Sequence, residues 1–265
     1  MSNTGYQPPS PEEFGDSIVN GYVLGAKGGM RMEEINPSGD WTDYIPSFES
    51  QRRSIETSSC TEYGTISAIQ ILEKFKFGEE HNYSERALAI LAENTPSGNS
   101  PHKVADTIRK FGLVPEEYLP FDDSVQSWDE YMDAEDKSIM MKGQEWLDKY
   151  EFNHEWVKTD PEVLMIALKT SPVGVAVYAW NKEDGYFTKP NGANDNHWTL
   201  NIVGYKEGEY WLIWDSYLDD GEPFKKLPWD YNFGFAKVYY LNKRKPSLWD
   251  RFISWISGLI HRLKK

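Results

Sequence analysis

Apolar side chains in the first half of the chain recur at the spacing of an α-helix. The clearest run comprises Tyr63, Ile66, Ile69, Leu72 and Phe75. Because this spacing places the residues on one helix face, we predict a helix that begins at Cys60. Ser59 and Glu62 form a capping-box pattern, in which a hydroxyl and a carboxylate three residues apart bond to the first turn. Two further helices are predicted over 84–93 and 101–111.

The second half of the chain changes from helical spacing to alternation. A last helix is predicted over 160–169, and valines then alternate with other residues over 173–177, as along a strand. Two apolar runs, 198–205 and 210–214, are separated by a short Gly-containing segment that predicts a hairpin turn, and a final strand is expected over 235–241. Helices followed by strands, without regular alternation of the two, predict an α+β fold with an antiparallel sheet.

The two ends of the chain differ from the middle. Residues 1–40 are rich in Gly, Pro and Ser and predict an irregular arm, whereas 41–242 carries the predicted helices and strands as one domain. Residues 243–265 predict an amphipathic helix, because their apolar side chains recur three or four residues apart. These side chains are Trp249, Phe252, Ile253, Ile256, Leu259, Ile260 and Leu263.

The charge of the chain excludes one class of partner. Its 265 residues include 28 basic and 42 acidic side chains, which give a net charge of −14. Affinity for nucleic acid comes largely from clustered Lys and Arg that displace counterions, so we expect no nucleic-acid partner. The C-terminal segment 243–265 is different, because seven basic residues and one acidic residue give it a charge of +6 and leave −20 on the rest of the chain.

A basic amphipathic helix of this kind has three candidate docking sites. It can lie on an anionic membrane surface or dock in the groove of a protein partner. It can equally pack its apolar face on the acidic domain of its own chain. The sequence leaves these three alternatives open.

Cysteine content and the N-terminal sequence bear on where the protein is found. A single cysteine, Cys60, cannot form an intramolecular disulfide, so folding does not require an oxidising compartment. The first residues lack the basic cluster and apolar stretch of a secretory signal, and no segment has the roughly 18 consecutive apolar residues of a membrane-spanning helix. We expect a cytoplasmic protein, and peripheral association with a membrane or a virion stays open as an alternative.

Cys60 stands at a position that favours reactivity. In the first turn of a helix, unpaired N–H groups and the positive end of the helix dipole stabilise a thiolate, which is the reactive species. We therefore expect the pKa of Cys60 to lie below the roughly 8.5 of a free cysteine. A nucleophile of this kind also needs a base.

Of the five histidines, His197 is the best placed to act as that base. It directly precedes an apolar run and so stands at a strand entrance, from which a side chain can project into a cleft. The next strand ends just before Asp215, whose carboxylate can orient the imidazole in the third role of a triad. The other four histidines stand among charged or loop-like residues and are expected to be solvated; they are His81, His102, His154 and His261.

Four segments of the chain resemble the papain-like cysteine peptidases and occur in the order of that family. They are Gln51…Ser58-Ser59-Cys60, Ser171-Pro-Val-Gly-Val-Ala-Val, Asn196-His197-Trp-Thr-Leu-Asn-Ile-Val-Gly-Tyr and Tyr210-Trp-Leu-Ile-Trp-Asp-Ser-Tyr. His197 and Asp215 follow Cys60 by 137 and 155 residues, near the family's spacing of about 130–150. The resemblance implies a two-lobe α+β fold, with a helical lobe that begins at Cys60, an antiparallel sheet lobe and an active cleft between them.

The resemblance also implies roles for four residues. Cys60 would be the nucleophile, His197 the general base and then acid, and Asp215 the orienting residue where the family usually has Asn. Gln51 would donate to the oxyanion together with the backbone N–H of Cys60. The family needs no metal or organic cofactor, and its substrates are polypeptides.

The chain departs from the family at several points. Thr61 and Tyr217 stand where the family commonly has Trp. The family's disulfide cysteines are absent, which favours a bacterial or phage-encoded branch. The expected function is peptide-bond hydrolysis through a thioester acyl-enzyme. Two alternatives stay open: a catalytically inactive domain that serves as a structural or binding module in a phage particle or membrane-associated assembly, and a cell-wall amide hydrolase with the same triad.

The charge pattern predicts that the full-length chain binds anionic vesicles. Each of roughly six positive charges near an anionic leaflet contributes about 1 kcal/mol, and each large apolar side chain adds about 1.5–3 kcal/mol when buried. We expect cosedimentation with anionic but not neutral vesicles at low salt, and loss of binding on truncation after Leu241. A full-length chain that stays in the supernatant, and whose melting temperature falls by several degrees on truncation, would show that the helix packs on its own domain.

Overall fold

The computed structural model describes residues 5–10, 18–19, 22–23, 33–134, 138, 141–218 and 221–245. Only residues 243–245 of the C-terminal segment fall within these ranges, so the amphipathic helix predicted for it lies outside the described residues. The same holds for most of the arm 1–40 and for His261.

Most of the described helices lie in the first half of the chain and most of the described strands in the second, as the sequence pattern predicts, although two short strands precede the first α-helix and one long strand precedes the last. The α-helices are α1 Cys60–Phe77, α2 Glu85–Leu91, α3 Pro101–Phe111, α4 Trp128–Tyr131, α5 Lys142–Lys149 and α6 Pro161–Leu168. The strands are β1 Ile18–Val19, β2 Tyr22–Val23, β3 Tyr150–Val157, β4 Val173–Val177, β5 Asn181–Glu183, β6 Tyr186–Thr188, β7 His197–Trp198, β8 Asn201–Lys206, β9 Tyr210–Trp214, β10 Phe224–Pro228 and β11 Ala236–Lys243. The fold is α+β, as predicted.

Helix α1 is the central element of the helical part. It begins at Cys60 as predicted, and nearly every side chain of its first four turns is buried. The predicted capping box does not form. Ser59 Oγ donates to the Thr57 carbonyl and contacts Tyr131 OH at 3.0 Å, while the Glu62 carboxylate accepts from Thr61 Oγ1. Both capping side chains are buried, so they bond to neighbouring polar groups instead of the helix end.

The next two predicted helices are confirmed, and the residues that cap them are described by their hydrogen bonds and backbone angles. Ser84 caps α2 by accepting a hydrogen bond from Ala87 N–H, and Ser100 caps α3 in the same way. Helix α3 ends at Gly112, whose φ of +73° lies in the region that favours glycine.

Nine of the described strands form a large antiparallel sheet in the order β1-β2-β3-β11-β4-β8-β9-β10, with β7 paired to β4 beside it, and β5 and β6 form a separate two-stranded sheet. The predicted hairpin between β8 and β9 is confirmed, and Gly208 occupies its turn with a φ of +73°. Strand β4 is fully buried because helices and strands cover both of its faces. Among the described residues, no helix is both long and apolar enough to cross a membrane.

Strand β3 is the main element that the hydrophobic pattern does not predict. It pairs with β11 along its whole length, although it carries the polar residues His154 and Glu155 at buried positions. The expectation that His154 is solvated is wrong. Its ring lies 3.0 Å from Lys237 Nζ and 3.3 Å from Asp106 Oδ1, and burial, aided by the Lys237 charge, lowers the pKa of His154 to about 3.

The helical part and the sheet meet along α1. This helix packs against β4, β7, β8 and β11. The contact with β7 is the closest at Gly64, where an added Cβ would lie 2.5 Å from the Thr199 carbonyl oxygen and 2.8 Å from Trp198 Cδ1. Packing therefore requires glycine at this position. Because glycine has no side chain, the helix can lie directly on the strand that carries His197.

We expect Gly64→Ala to destabilise the protein. In an unpacked helix this substitution would stabilise by about 1 kcal/mol, but the added methyl group overpacks the junction, which typically costs about 1–3 kcal/mol. Equilibrium urea unfolding measures the difference. Gly204→Ala in β8 is the matched control, since its nearest neighbouring atom would lie at 3.7 Å. If Gly64→Ala is as stable as wild type, α1 and β7 do not meet as closely as described.

Candidate active site

The cysteine lies where the two halves of the fold meet. Cys60 is the first residue of α1, and its sulfur accepts a hydrogen bond from the backbone N–H of Trp198 in β7 at 3.4 Å. The side chain is fully buried. The junction of α1 and β7 therefore brings the thiol to the residue that directly follows His197.

His197 and Asp215 are in direct contact, as the sequence spacing suggests. His197 Nε2 lies 2.7 Å from Asp215 Oδ1, and both side chains are fully buried. Pairing of β7 with β4 holds the backbone of His197, and the β8–β9 hairpin places Asp215 beside it because β9 ends at Trp214. The carboxylate is thus held by a strand end and orients the ring.

This contact leaves the second ring nitrogen for the thiol. His197 Nδ1 is buried and has no hydrogen-bond partner among the described residues. The rings of Tyr217 and Trp180 pack around the imidazole, with ring centroids 5.0 and 5.7 Å from it. Nδ1 is therefore the ring nitrogen that the contact with Asp215 leaves unbonded.

Asp215 is surrounded by groups that stabilise its ionised form. Trp180 Nε1 donates to Oδ2 at 2.9 Å, and Lys225 Nζ lies 3.5 Å from the same oxygen. Burial alone would raise the pKa of Asp215, but the charges of His197 and Lys225 and the hydrogen bonds from His197 and Trp180 outweigh it. The pKa of the carboxyl is therefore held below its usual range.

Gln51 lies beside this site in an arrangement that differs from the one expected of an oxyanion donor. Its Nε2 donates to Glu56 Oε1 at 2.8 Å and to Tyr217 OH at 2.7 Å, while its Oε1 accepts from Ser216 Oγ at 2.7 Å. Both amide hydrogens are thus engaged. For Gln51 to bind an oxyanion, at least one of these bonds has to break.

The sequence pattern does not predict three residues that belong to the site. Trp180 bonds to Asp215, Glu56 bonds to Gln51 and Tyr217, and Lys225 pairs with Asp215. For Lys225 the sequence offers one indication: it stands two residues before Leu227, so in a strand both side chains lie on the same face, which is buried in β10. Trp180 and Glu56 lie outside the predicted strands and helices, where periodicity carries no information.

A short piece of the N-terminal arm packs into the buried cluster that contains the thiol. Asn99 N–H donates to the Gly5 carbonyl and Gln7 N–H donates to the Asn99 carbonyl, both at 2.9 Å, which forms a parallel β-bridge at Tyr6. The Tyr6 ring stacks on Trp198 at 5.7 Å and belongs to the same buried cluster as Cys60. Part of the predicted irregular arm therefore contributes a side chain to the same buried cluster as the sulfur.

Burial changes the chemistry expected of the thiol. Burial raises the pKa of Cys60 well above its ordinary value, and the carboxylates of Glu62, Asp215 and Glu56 add to the effect, whereas the hydrogen bond from Trp198 N–H opposes it. The prediction of a lowered thiol pKa is wrong for this conformation, because exclusion of water outweighs the helix N-terminus. In the described part of the chain, no cluster of His, Cys, Asp and Glu could hold a metal ion.

Comparison with known proteins connects this geometry to a fold. No protein-family model and no curated protein matches the sequence. Solved structures do match it: the ragweed pollen allergen Amb a 11 cysteine protease in its proform (TM-score 0.60, 18% identity, 82% of this chain and 69% of that chain), procathepsin L 3 of the Tenebrio molitor larval midgut (0.57, 19%, 81% and 72%), and bromelain of Ananas comosus in complex with the E64 inhibitor (0.55, 17%, 77% and 98%).

These structural neighbours are papain-like cysteine proteases, and identities of 17–19% speak to the fold alone. The chain has a papain-like α+β fold, as the sequence predicted.

Proposed function

We propose that the protein is a cysteine peptidase with Cys60 as nucleophile and His197 as its base. One observation carries the proposal: His197 is bonded to Asp215 through Nε2, while the amide of the adjacent Trp198 is bonded to the Cys60 sulfur. A nucleophile, a base and an orienting carboxylate are thereby gathered from three separate elements, which is the arrangement that acyl transfer needs.

The reaction follows from the two nitrogens of His197. Nδ1 accepts the thiol proton and the Cys60 sulfur attacks the peptide carbonyl carbon, so that the carbonyl oxygen becomes an oxyanion. His197 then returns the proton to the leaving amine as the C–N bond breaks, which leaves a thioester on Cys60. Water, deprotonated by the same nitrogen, attacks the thioester and releases the carboxylic acid and the free thiol.

The N-terminus of α1 supports the oxyanion. The backbone N–H of Cys60 belongs to the first turn of the helix, whose N–H groups have no partner within the helix. A donor at this position typically accelerates acyl transfer by about 10²–10³-fold. Gln51 is proposed as the second donor, after one of its present hydrogen bonds to Glu56 or Tyr217 has been exchanged for the substrate oxygen.

A second candidate, an inactive domain, is favoured by the cover over the thiol. With Tyr6 in place, the sulfur is fully buried and its pKa is raised, which disfavours the thiolate. The two proposals differ in one respect: in a peptidase the cover is displaced before substrate binds, whereas in a structural module it stays. Hydrolysis of an amide bond in the cell wall would use the same atoms of Cys60 and His197 as hydrolysis of a peptide bond.

Removal of the cover is expected to make Cys60 reactive. Tyr6→Ala deletes the ring that stacks on Trp198, and deletion of residues 1–10 also removes the β-bridge to Asn99. We expect iodoacetamide to alkylate Cys60 at least tenfold faster in both variants at pH 7, as followed by mass spectrometry. Tyr6→Phe keeps the stacked ring and should react as slowly as wild type. Equal rates in all four proteins would contradict a role of Tyr6 in covering the thiol.

The proposed reaction is tested on unfolded casein, with Tyr6→Ala as the parent protein. We expect release of casein peptides that Cys60→Ala abolishes and that His197→Ala lowers by at least 10³-fold, because each removes a reacting group. His81→Ala is the matched control, since His81 is a partly exposed histidine paired with Glu73 away from the thiol. If the uncovered parent alkylates rapidly but leaves casein and purified cell wall intact, the domain is not a hydrolase of either substrate.

A further inference from the structure

A buried lysine stands behind the candidate triad. Lys225 lies on β10, which pairs with β9 and places it opposite Ile213. Its side chain is fully buried, and its Nζ donates to the Tyr217 carbonyl at 2.7 Å and to the Glu222 carbonyl at 3.4 Å. The same nitrogen lies 3.5 Å from Asp215 Oδ2.

An ammonium group in this position is costly unless a charge compensates it. Transfer of an ion from water into a protein interior is unfavourable by several kcal/mol, and an opposite charge with added hydrogen bonds can offset this. Asp215 is the carboxylate with which Lys225 forms an ion pair in the described part of the chain. The rings of Trp180 and Phe187, 5.3 and 5.4 Å from Nζ, exclude water from the pair. The two charges therefore depend on each other.

The carboxylate has an electrostatic drawback beside a thiol and an imidazole. A buried negative charge in contact with His197 favours the imidazolium, which cannot accept a proton, and it also opposes the Cys60 thiolate. A neutral amide acceptor would orient the ring without this effect. A positive charge on the far oxygen of Asp215 achieves the same result, because it offsets the carboxylate and leaves the near oxygen as an acceptor.

We propose that Lys225 is a positioning residue that offsets the charge of Asp215, so that His197 is oriented by a carboxylate whose negative charge is balanced. The inference deepens the proposed function and rests on its assignment of His197 and Asp215. Lys225 does not touch the reacting atoms and acts through Asp215. Together, Lys225 and Asp215 orient the His197 ring without a net negative charge, as a single neutral amide would.

Other charged and titratable groups face the same site. They are Cys60 and Glu62 on α1, Glu56 in the loop before it, Tyr217 after β9, Tyr6 of the N-terminal segment and Asp195 in the loop before β7. None of these side chains is itself replaced in the Lys225 and Asp215 variants, and of the two replacements it is that of Asp215 that also removes a charge acting on Cys60. A change in the protonation of His197 on replacement of one of the pair can therefore be assigned to that pair.

The test measures the protonation of His197 by NMR of the full-length chain with ¹³C-labelled histidine. Lys225→Met leaves the Asp215 charge unbalanced, so we expect the titration midpoint of His197 to move to higher pH by about one pH unit or more. Asp215→Asn leaves the lysine unbalanced and should move the midpoint in the opposite direction. The double variant should return it to within about half a pH unit of wild type, because both charges are removed.

Two further variants separate this role from a merely structural one. Lys237→Met removes another fully buried lysine, which lies on His154 and Trp156, and should leave the His197 midpoint where it is. Should Lys225→Met fail to fold, Asp215→Asn and the double variant still measure the effect of the lysine, since they differ only at residue 225. A His197 midpoint that does not rise on loss of Lys225, in either background, overturns the proposal.

The readout is independent of catalysis. If the midpoints move as expected but casein is not cleaved, the charge balance stands and the peptidase assignment fails. If casein is cleaved and the midpoints do not move, the peptidase assignment stands and the role of Lys225 fails. If both hold, the pH profile of casein cleavage by Lys225→Met is expected to move in the same direction as its His197 midpoint.

Discussion

The site depends on one packing contact, the junction of the N-terminal end of α1 with β7. Gly64 lets the helix lie against Thr199 and Trp198, and one helical turn earlier the amide of Trp198 reaches the Cys60 sulfur. Because His197 directly precedes Trp198, the same contact sets where the imidazole lies relative to the thiol. A shift of helix against strand would separate the two reacting groups, although each would keep its own local structure.

Two clusters of ionisable side chains in the interior are arranged so that buried charges lie next to partners. Asp215 lies between His197 and Lys225, and Lys237 lies on His154, whose other nitrogen faces Asp106. Each cluster thus contains a lysine, a histidine and a carboxylate. The carboxylate is the middle group in the first cluster, and the histidine is the middle group in the second. The cost of burying one charge is offset by another, and loss of either partner leaves a buried charge without compensation.

The thiol illustrates how burial can reverse a local effect. The first turn of α1 favours a thiolate through its N–H groups and dipole, yet the stacked rings of Tyr6 and Trp198 exclude water around Cys60. Desolvation is the larger of the two effects, so the neutral thiol is favoured while the N-terminal segment is in place. The pKa of this cysteine is thus governed by its burial, and the helix end at which it stands has the smaller effect.

The sequence by itself determined the α+β class, the start of α1, the presence of α2, the bounds of α3 and the β8–β9 hairpin, because hydrophobic period, cap residues and turn glycines act over a few neighbouring residues. It also indicated His197 and Asp215, since both stand at the ends of predictable strands. Tertiary structure alone decided that Tyr6 shares a buried cluster with Cys60, that Lys225 pairs with Asp215, that His154 is buried and that Gln51 bonds to Glu56 and Tyr217. These contacts join residues distant in the chain, and their energies come from burial and charge pairing, which no local pattern encodes.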